Sequence, residues 1–251
     1  MDRILRLGGF AAAVAVWLLP DLAEAQPALP QVTISLPNAE EPEQVVPALK
    51  MLMLLTILSI APAILVSMTS FTRIVIVLSF VRQALGTQNT PPMQVVLSLS
   101  LLLTAVVMAP VASELNEKAL DPYIEHQIDE EEAYTAAEAT IRSWLLSQTR
   151  EADLLLFYDL SHTEPPADQA EVSLHLLVPA FMISELRAGF EMGFLLFLPF
   201  VLIDLITATL LTSMGMVMLP PTMISTPIKL LLFVVVDGWA LLTSSIVASF
   251  T

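Results

Sequence analysis

Four stretches of the chain carry almost no charge, and polar or acidic stretches separate them. They cover residues 51–70, 93–112, 194–213 and 230–250. Each has about the twenty residues that an α-helix needs to cross the hydrocarbon core of a bilayer. We therefore expect an all-α fold with four membrane-type segments.

The turns between these segments predict how the helices pair. An amphipathic stretch and a polar turn join the first two segments, so residues 51–112 are expected to form one helical hairpin. Residues 176–251 are expected to form a second hairpin, and residues 113–175 lie between the two as an insert with helical spacing. Hydropathy does not distinguish a helix in lipid from a helix buried in a large assembly, because both are apolar all round.

The N-terminus has the pattern of a secretory signal. Two arginines precede an uncharged core over residues 7–19, and a small-x-small motif ends at Ala25. Residues 1–25 are therefore predicted to be removed, which leaves Gln26 as the first residue of a protein exported from a bacterial cytoplasm. The alternative is a retained helix, although its core is short for a membrane span. Residues 26–50 are rich in proline and glutamate, a composition that favours an extended segment.

The charge of the chain is strongly acidic, and it is concentrated in the insert. The formal net charge is −15, and residues 111–175 contain fifteen acidic residues against three basic ones. Such a chain would repel the phosphates of nucleic acid, so we predict no nucleic-acid partner. The positive-inside rule places Arg73, Arg82 and Lys229 on the cytoplasmic side and the insert in the periplasm.

No pattern for catalysis or for a cofactor is present in the sequence. The chain has no cysteine, and His126, His162 and His175 are too widely spaced to suggest a metal site. The sequence contains neither a glycine-rich phosphate loop nor a nucleophile motif. The acidic run at residues 129–132 is read as a solvated face, because it lacks the spacing of a calcium loop. We therefore expect no enzyme activity, no metal and no cofactor.

The turn between the third and fourth segments is built of methionines instead of polar residues. Met214, Met216 and Met218 lie in it, with Val217 between the last two. Methionine is flexible and polarizable, so several copies from neighbouring subunits could close a hole and still deform around a polypeptide. The alternative is that these side chains fill gaps in a helical core. Composition alone leaves both interpretations open.

Asp204 lies in the middle of the third segment and needs a partner there. A carboxylate at this depth costs roughly 2.5–3.5 kcal/mol on insertion scales. Lys229, at the start of the returning helix, is its natural partner, and Asp237 is the next charged residue along that helix. The pair could fix two helices around the methionine turn, or Asp204 could belong to a proton or ion path.

Several of these stretches together resemble one protein family. They are residues 70–80 (SFTRIVIVLSF), 86–92 (GTQNTPP), 214–221 (MGMVMLPP) and 236–239 (VDGW). They closely resemble the FliP family, the export-gate component of the flagellar type III secretion system. The resemblance covers most of residues 45–250.

This resemblance implies a function, a location and partners. It implies an oligomeric channel subunit, a pentamer, that assembles with FliQ and FliR in the inner membrane at the flagellar basal body. FlhB and other export components are implied as neighbours, and unfolded flagellar proteins as substrates. In the family a methionine-rich gasket closes the channel, and it maps onto Met216, Val217 and Met218, where valine interrupts the methionines. An aspartate and a lysine that flank the gasket match Asp204 and Lys229.

Two other functions remain open at this point. One is the equivalent subunit of a virulence-type injectisome, and the long N-terminal extension favours the flagellar branch over it. The other is an ion-coupled small-molecule transporter. Against the transporter, the apolar segments offer one central acid and no polar substrate site.

Overall fold

The computed structural model describes residues 42–87, 90–216 and 218–250. The predicted leader 1–25, with its cleavage between Ala25 and Gln26, lies outside the described residues, as does Val217.

The described chain is helical, and no strand occurs within the described ranges, which confirms the all-α prediction. Its α-helices in chain order are α1 (Pro42–Ser67), α2 (Phe71–Ala84), α3 (Met93–Leu115), α4 (Asp121–Ile124), α5 (Glu130–Gln148), α6 (Glu151–Ser161), α7 (Leu174–Ser213), α8 (Thr222–Val235) and α9 (Gly238–Ala248). A π-helical turn (Asn116–Leu120) joins α3 to α4, and a short 3-10 turn (Gln169–Glu171) precedes α7.

The chain divides into two compact units between Thr56 and Ile57. The described part of the first unit is the beginning of α1, and its apolar side chains from Leu49 onward are exposed. The second unit contains the end of α1 and all of the later helices. The features described below lie in this second unit.

Helix α2 forms the centre of the second unit because one of its faces is apolar at helical spacing. Ile74, Val77, Leu78 and Val81 recur at intervals of three and four residues, and all four are buried. They join residues of α3, α7, α8 and α9 in one hydrophobic core. The opposite side of α2 packs along α7.

Two glycines of α7 allow α2 to approach it closely. A Cβ atom added at Gly189 would lie 3.1 Å from Cγ2 of Ile76, and one added at Gly193 would lie 2.6 Å from Cδ2 of Phe80. The second distance is shorter than any normal van der Waals contact. The spacing of four residues places both glycines on the same face of α7, where they form the groove that receives α2.

Replacing Gly193 by alanine is expected to destabilise the protein by roughly 1–2 kcal/mol, within the usual range for overpacking. The new methyl group would press on the first atoms of the Phe80 side chain, which cannot move without moving the helix. Thermal unfolding in detergent measures the effect. Phe80→Leu in the same chain should restore part of the loss, and an unchanged midpoint for Gly193→Ala would contradict this close contact.

Helices α5 and α6, which we call the acidic helices, share a core with the first part of α7. Helix α5 begins with a capping box, in which Asp129 accepts a hydrogen bond from the backbone N–H of Glu132 and the Glu132 side chain accepts one in return. Farther along the chain, Leu145 packs with Leu177 and Phe181 in a second hydrophobic cluster. The boundaries of the predicted insert at residues 113 and 175 stay a prediction.

Polar contacts also connect the acidic helices to α7. The hydroxyl group of Ser184 donates a 2.7 Å hydrogen bond to Oδ2 of Asp153, and it accepts one of 3.1 Å from the backbone N–H of Arg150. Ser184 is buried, so this small network is shielded from solvent. The acidic helices therefore hold the first half of α7 by both apolar and polar contacts.

Two of the described helices are long and apolar enough to cross a membrane, where the sequence predicted four segments. They are the continuous stretch 93–124 and α7, and α8 with α9 gives a third if the two are counted as one span. Helices α8 and α9 meet at an angle of 68°, and α1 contains a further apolar stretch over Leu49–Ile64. Helix α7 has 40 residues, or about 60 Å, which is twice the thickness of the hydrocarbon core. Helix α7 is therefore longer than a perpendicular crossing of the hydrocarbon core requires.

Candidate gate loop and its anchoring charges

The methionine turn begins with a well-defined end of α7. The backbone N–H of Met216 donates to the carbonyl of Leu211 (2.9 Å), and that of Gly215 donates to Thr212 (3.0 Å). This pair of hydrogen bonds is a Schellman motif, and it requires a residue with positive φ, which Gly215 supplies at +76°. On the other side, Pro220 and Pro221 precede the first residue of α8. The loop thus runs between two conformationally restricted ends.

The methionines of this loop lie outside the core of their own chain. The exposed fraction is 72% for Met214, 39% for Met216 and 96% for Met218. Met223, in the first turn of α8, is also exposed. Large apolar side chains in this position are available for contact with something other than the single chain.

Asp204 and Lys229 form an ion pair between the two helices that flank this loop. Nζ of Lys229 is 2.5 Å from Oδ2 of Asp204, and it also donates to the backbone carbonyl of Ala84 at 3.1 Å. Lys229 is buried, whereas the side chain of Asp204 is 39% exposed. The contact joins α7 to α8 by a charged pair, and the second hydrogen bond adds the end of α2.

Asp237 occupies a different position from Asp204. It is an exposed residue with φ of +51° between α8 and α9. The next residue is Gly238, whose hydrogen faces the ring of Phe233 so closely that a Cβ atom would overlap it. That ring also makes an edge-to-face contact with Trp239 at 5.1 Å. Asp237 therefore marks a tightly packed break in the helix.

A second charged cluster is centred on Arg73, which sequence reasoning assigned only to a membrane side. Its guanidinium donates to Glu185 with two nitrogens, of which Nε lies 3.1 Å from Oε2. Further hydrogen bonds reach Oε1 of Gln148 (3.2 Å) and the backbone carbonyl of Ser249 (2.8 Å). The guanidinium carbon lies 3.9 Å from the ring centre of Phe250, a cation–π distance.

The basic residues of both charged clusters are buried, which affects the orientation predicted from the sequence. Arg73 and Lys229 are both buried and paired, so neither is a loop charge of the kind that the positive-inside rule counts. The signal that could have found the Arg73 cluster is Glu185, an acid within an otherwise apolar stretch, because such a group requires a partner.

Among the described residues no group of three histidine, aspartate or glutamate side chains could hold a metal ion.

Comparison with known proteins identifies the family. The sequence model of the FliP family matches residues 54–246. The chain is 49% identical to the flagellar biosynthetic protein FliP of Bacillus subtilis over 217 residues, which cover 86% of this chain and 98% of that protein. It is 47% identical to the FliP of Caulobacter vibrioides (95% and 88% covered) and 42% identical to that of Pectobacterium carotovorum (100% and 96%). The match spans the methionine loop and the two ion pairs Asp204–Lys229 and Arg73–Glu185, and the chain therefore belongs to the FliP family of flagellar biosynthetic proteins, as a component of the flagellar export apparatus.

Proposed function

We propose that the chain is a channel subunit of the flagellar type III export gate, which passes unfolded flagellar proteins across the inner membrane. The observation that carries this proposal is the methionine loop, whose apolar side chains are exposed although both of its ends are restricted. A loop of this kind can meet copies of itself at a common axis. Membership of the FliP family supports the same function.

The chemistry of methionine suits a seal that must open for many substrates. A thioether side chain is unbranched and has three rotatable bonds, so it can fill an irregular gap and rearrange at little cost. Recognition through such surfaces does not depend on one partner sequence. In the idle state the loop would exclude water and ions, and during export it would pack around the passing chain. Val217 takes part in the proposed seal by its position between Met216 and Met218.

The exposed apolar surface of α7 supports assembly with other subunits. Phe194, Leu195, Leu202 and Leu205 are all more than half exposed, in the part of α7 that leads to the loop. Contiguous apolar surface of this kind is covered by lipid or by protein in a stable complex. We propose further copies of this chain, in a pentamer, and FliQ and FliR as its neighbours, with FlhB and other export components adjoining them.

The proposed orientation follows from the leader and the acidic helices. Residues 1–25 would direct the chain into the inner membrane and be removed after Ala25, and residues 26–50 and 113–175 would face the periplasm. The first hairpin (51–112) and the second (176–251) would form the channel wall.

The experiment replaces Met216 and Met218 together by alanine in the complete export complex. We expect the idle cell membrane to become leaky to small ions, because each subunit loses apolar volume at the axis and the losses add over the copies of the ring. Ion conductance and the abundance of the complex are measured in the same cells. Met53→Ala is the matched control, since Met53 is also an exposed methionine but lies in α1.

A loss of the complex without any leak would instead show that the methionines are ordinary packing residues. Core-filling methionines would cost about 2–5 kcal/mol per site when they are truncated, and the complex would become scarce without any leak. Normal conductance with a poorly assembled complex would overturn the seal. The mass of the purified complex then distinguishes a ring with partner subunits from a monomeric transporter.

A further inference from the structure

The end of α2 is shaped by a glycine in a left-handed conformation. Gly86 has φ of +71°, and its backbone N–H donates to the carbonyl of Gln83 at 3.1 Å. This geometry ends the helix directly after Ala84 and Leu85. The carbonyls of the last turn of a helix lack partners within that helix, so they are available to a donor from elsewhere.

That donor is the ammonium group of Lys229, which comes from α8. Its 3.1 Å hydrogen bond to the carbonyl of Ala84 places a positive charge at the negative end of the α2 dipole. The same ammonium group is bonded to Asp204 of α7 at 2.5 Å. One buried lysine therefore caps α2 and neutralises an acid on α7, and it fixes α8 relative to both helices.

Gly86 also lies directly against α8. A Cβ atom at this position would be 3.1 Å from Oγ1 of Thr226 and 3.9 Å from Nζ of Lys229. The first distance is tighter than an ordinary contact, so a side chain here would push Thr226 away. Thr226 and Lys229 are three residues apart on α8 and lie on the same side of it, so that displacement would act on the lysine as well.

We propose that Gly86 is a positioning residue for the gate loop. By ending α2 in a left-handed turn without a side chain, it lets α8 approach until Lys229 reaches both Ala84 and Asp204. The loop connects α7 to α8. Because Lys229 fixes these two helices relative to each other, it also fixes the positions of the two ends of the loop. This inference rests on the proposed seal, and it adds the residue that positions the helices on either side of the loop.

The test replaces Gly86 by alanine in the complete export complex and measures idle conductance and complex abundance together. We expect conductance to rise by about tenfold, the shift in a closed–open equilibrium that the strain of one unfavourable backbone conformation can produce. Part of that strain comes from φ itself and part from the contact with Thr226. Removing the hydroxyl in Gly86→Ala/Thr226→Ala should therefore lower the leak toward the wild-type value, whereas Thr226→Ala alone should not leak.

A second comparison asks whether Gly86 acts through Lys229. Asp204→Asn removes the charge that Lys229 neutralises, and in that background Gly86→Ala should add little further leak. If the fold increases in conductance of the two single variants multiply in the double variant, Gly86 acts by another route and the inference is overturned. Its failure is distinguishable from failure of the proposed seal. If Met216→Ala/Met218→Ala leaks while Gly86→Ala conducts normally at normal abundance, only the positioning role is lost.

A further variant applies if Gly86→Ala fails to accumulate. Thr226→Leu enlarges the same contact from the α8 side and leaves the α2 backbone unchanged. It should leak in the manner expected for Gly86→Ala. Normal conductance in Thr226→Leu at normal abundance would overturn the inference, because the contact would then have no influence on the loop.

Discussion

Replacing Arg73 by alanine is expected to destabilise the protein by about 3–5 kcal/mol, the usual cost of removing one partner from a buried ion pair. The carboxylate of Glu185 is fully buried, and without the guanidinium it would keep its charge in an apolar environment or take up a proton. The carbonyl of Ser249 and the side chain of Gln148 would also lose their donor. The midpoint of thermal unfolding in detergent should fall by roughly 6–20 °C for a chain of this size.

Helix α7 provides a matched control for this prediction. Arg187 and Glu191 form an ion pair with a 2.7 Å hydrogen bond, but their side chains are 55% and 64% exposed. Arg187→Ala should therefore change stability by less than about 1 kcal/mol. Arg73→Lys keeps the charge but cannot reach Glu185, Gln148 and Ser249 together, so it should remain well below wild type. Equal shifts at the two pairs would contradict the importance of burial.

Replacing Asp204 by alanine is expected to cost about 3 kcal/mol, the lower end of the range for a buried pair, because Asp204 is partly exposed. Lys229 would stay buried with the carbonyl of Ala84 as its described partner. Export of flagellar proteins should fall with stability, since α7 and α8 would lose the contact that joins them below the loop. Unfolding midpoints and export are measured for the same variants.

The double-mutant cycle separates pairing from independent effects. Asp204→Ala/Lys229→Ala removes both charges, so its cost should be smaller than the sum of the two single changes. Strict additivity would show that the 2.5 Å contact contributes nothing to stability. A relay needs a group that titrates, so Asp204→Asn/Lys229→Gln, which removes both charges but keeps two hydrogen-bonding side chains, should abolish export only if an ion path runs through this pair.

The sequence allowed the all-α fold to be predicted because its uncharged segments are each about as long as a helix that crosses a bilayer. It did not allow the number of possible spans to be predicted, since hydropathy treats a helix as continuous wherever the residues are apolar. The break at Asp237 and Gly238 shows the reason. It depends on a left-handed residue and on the ring of Phe233 packed against a glycine, and neither feature changes the hydropathy.

The partners of the buried charged residues could also be predicted from the sequence only in part. Asp204 could be given a partner from the sequence because an isolated acid in an apolar helix demands one, and Lys229 lies at the start of the helix that returns from the turn. The same argument indicates that Glu185 needs a partner, but it does not identify that partner as Arg73 or predict the rest of the cluster around Arg73. Its partners come from α5, α7 and the residues after α9, and long-range contacts of this kind leave no periodic trace.

The contacts of Arg73 also constrain the order in which the chain can fold. They lie 75, 112 and 176 residues farther along the sequence. At a synthesis rate of about 5–20 residues per second, Ser249 leaves the ribosome roughly 9–35 s after Arg73. Throughout that interval the guanidinium lacks its last acceptor, so it has to remain hydrated or be held by other groups. The hydrogen bond from Arg73 to Ser249 is therefore one of the last contacts to form, and the cluster around Arg73 is completed only after the C-terminal residues have been synthesised.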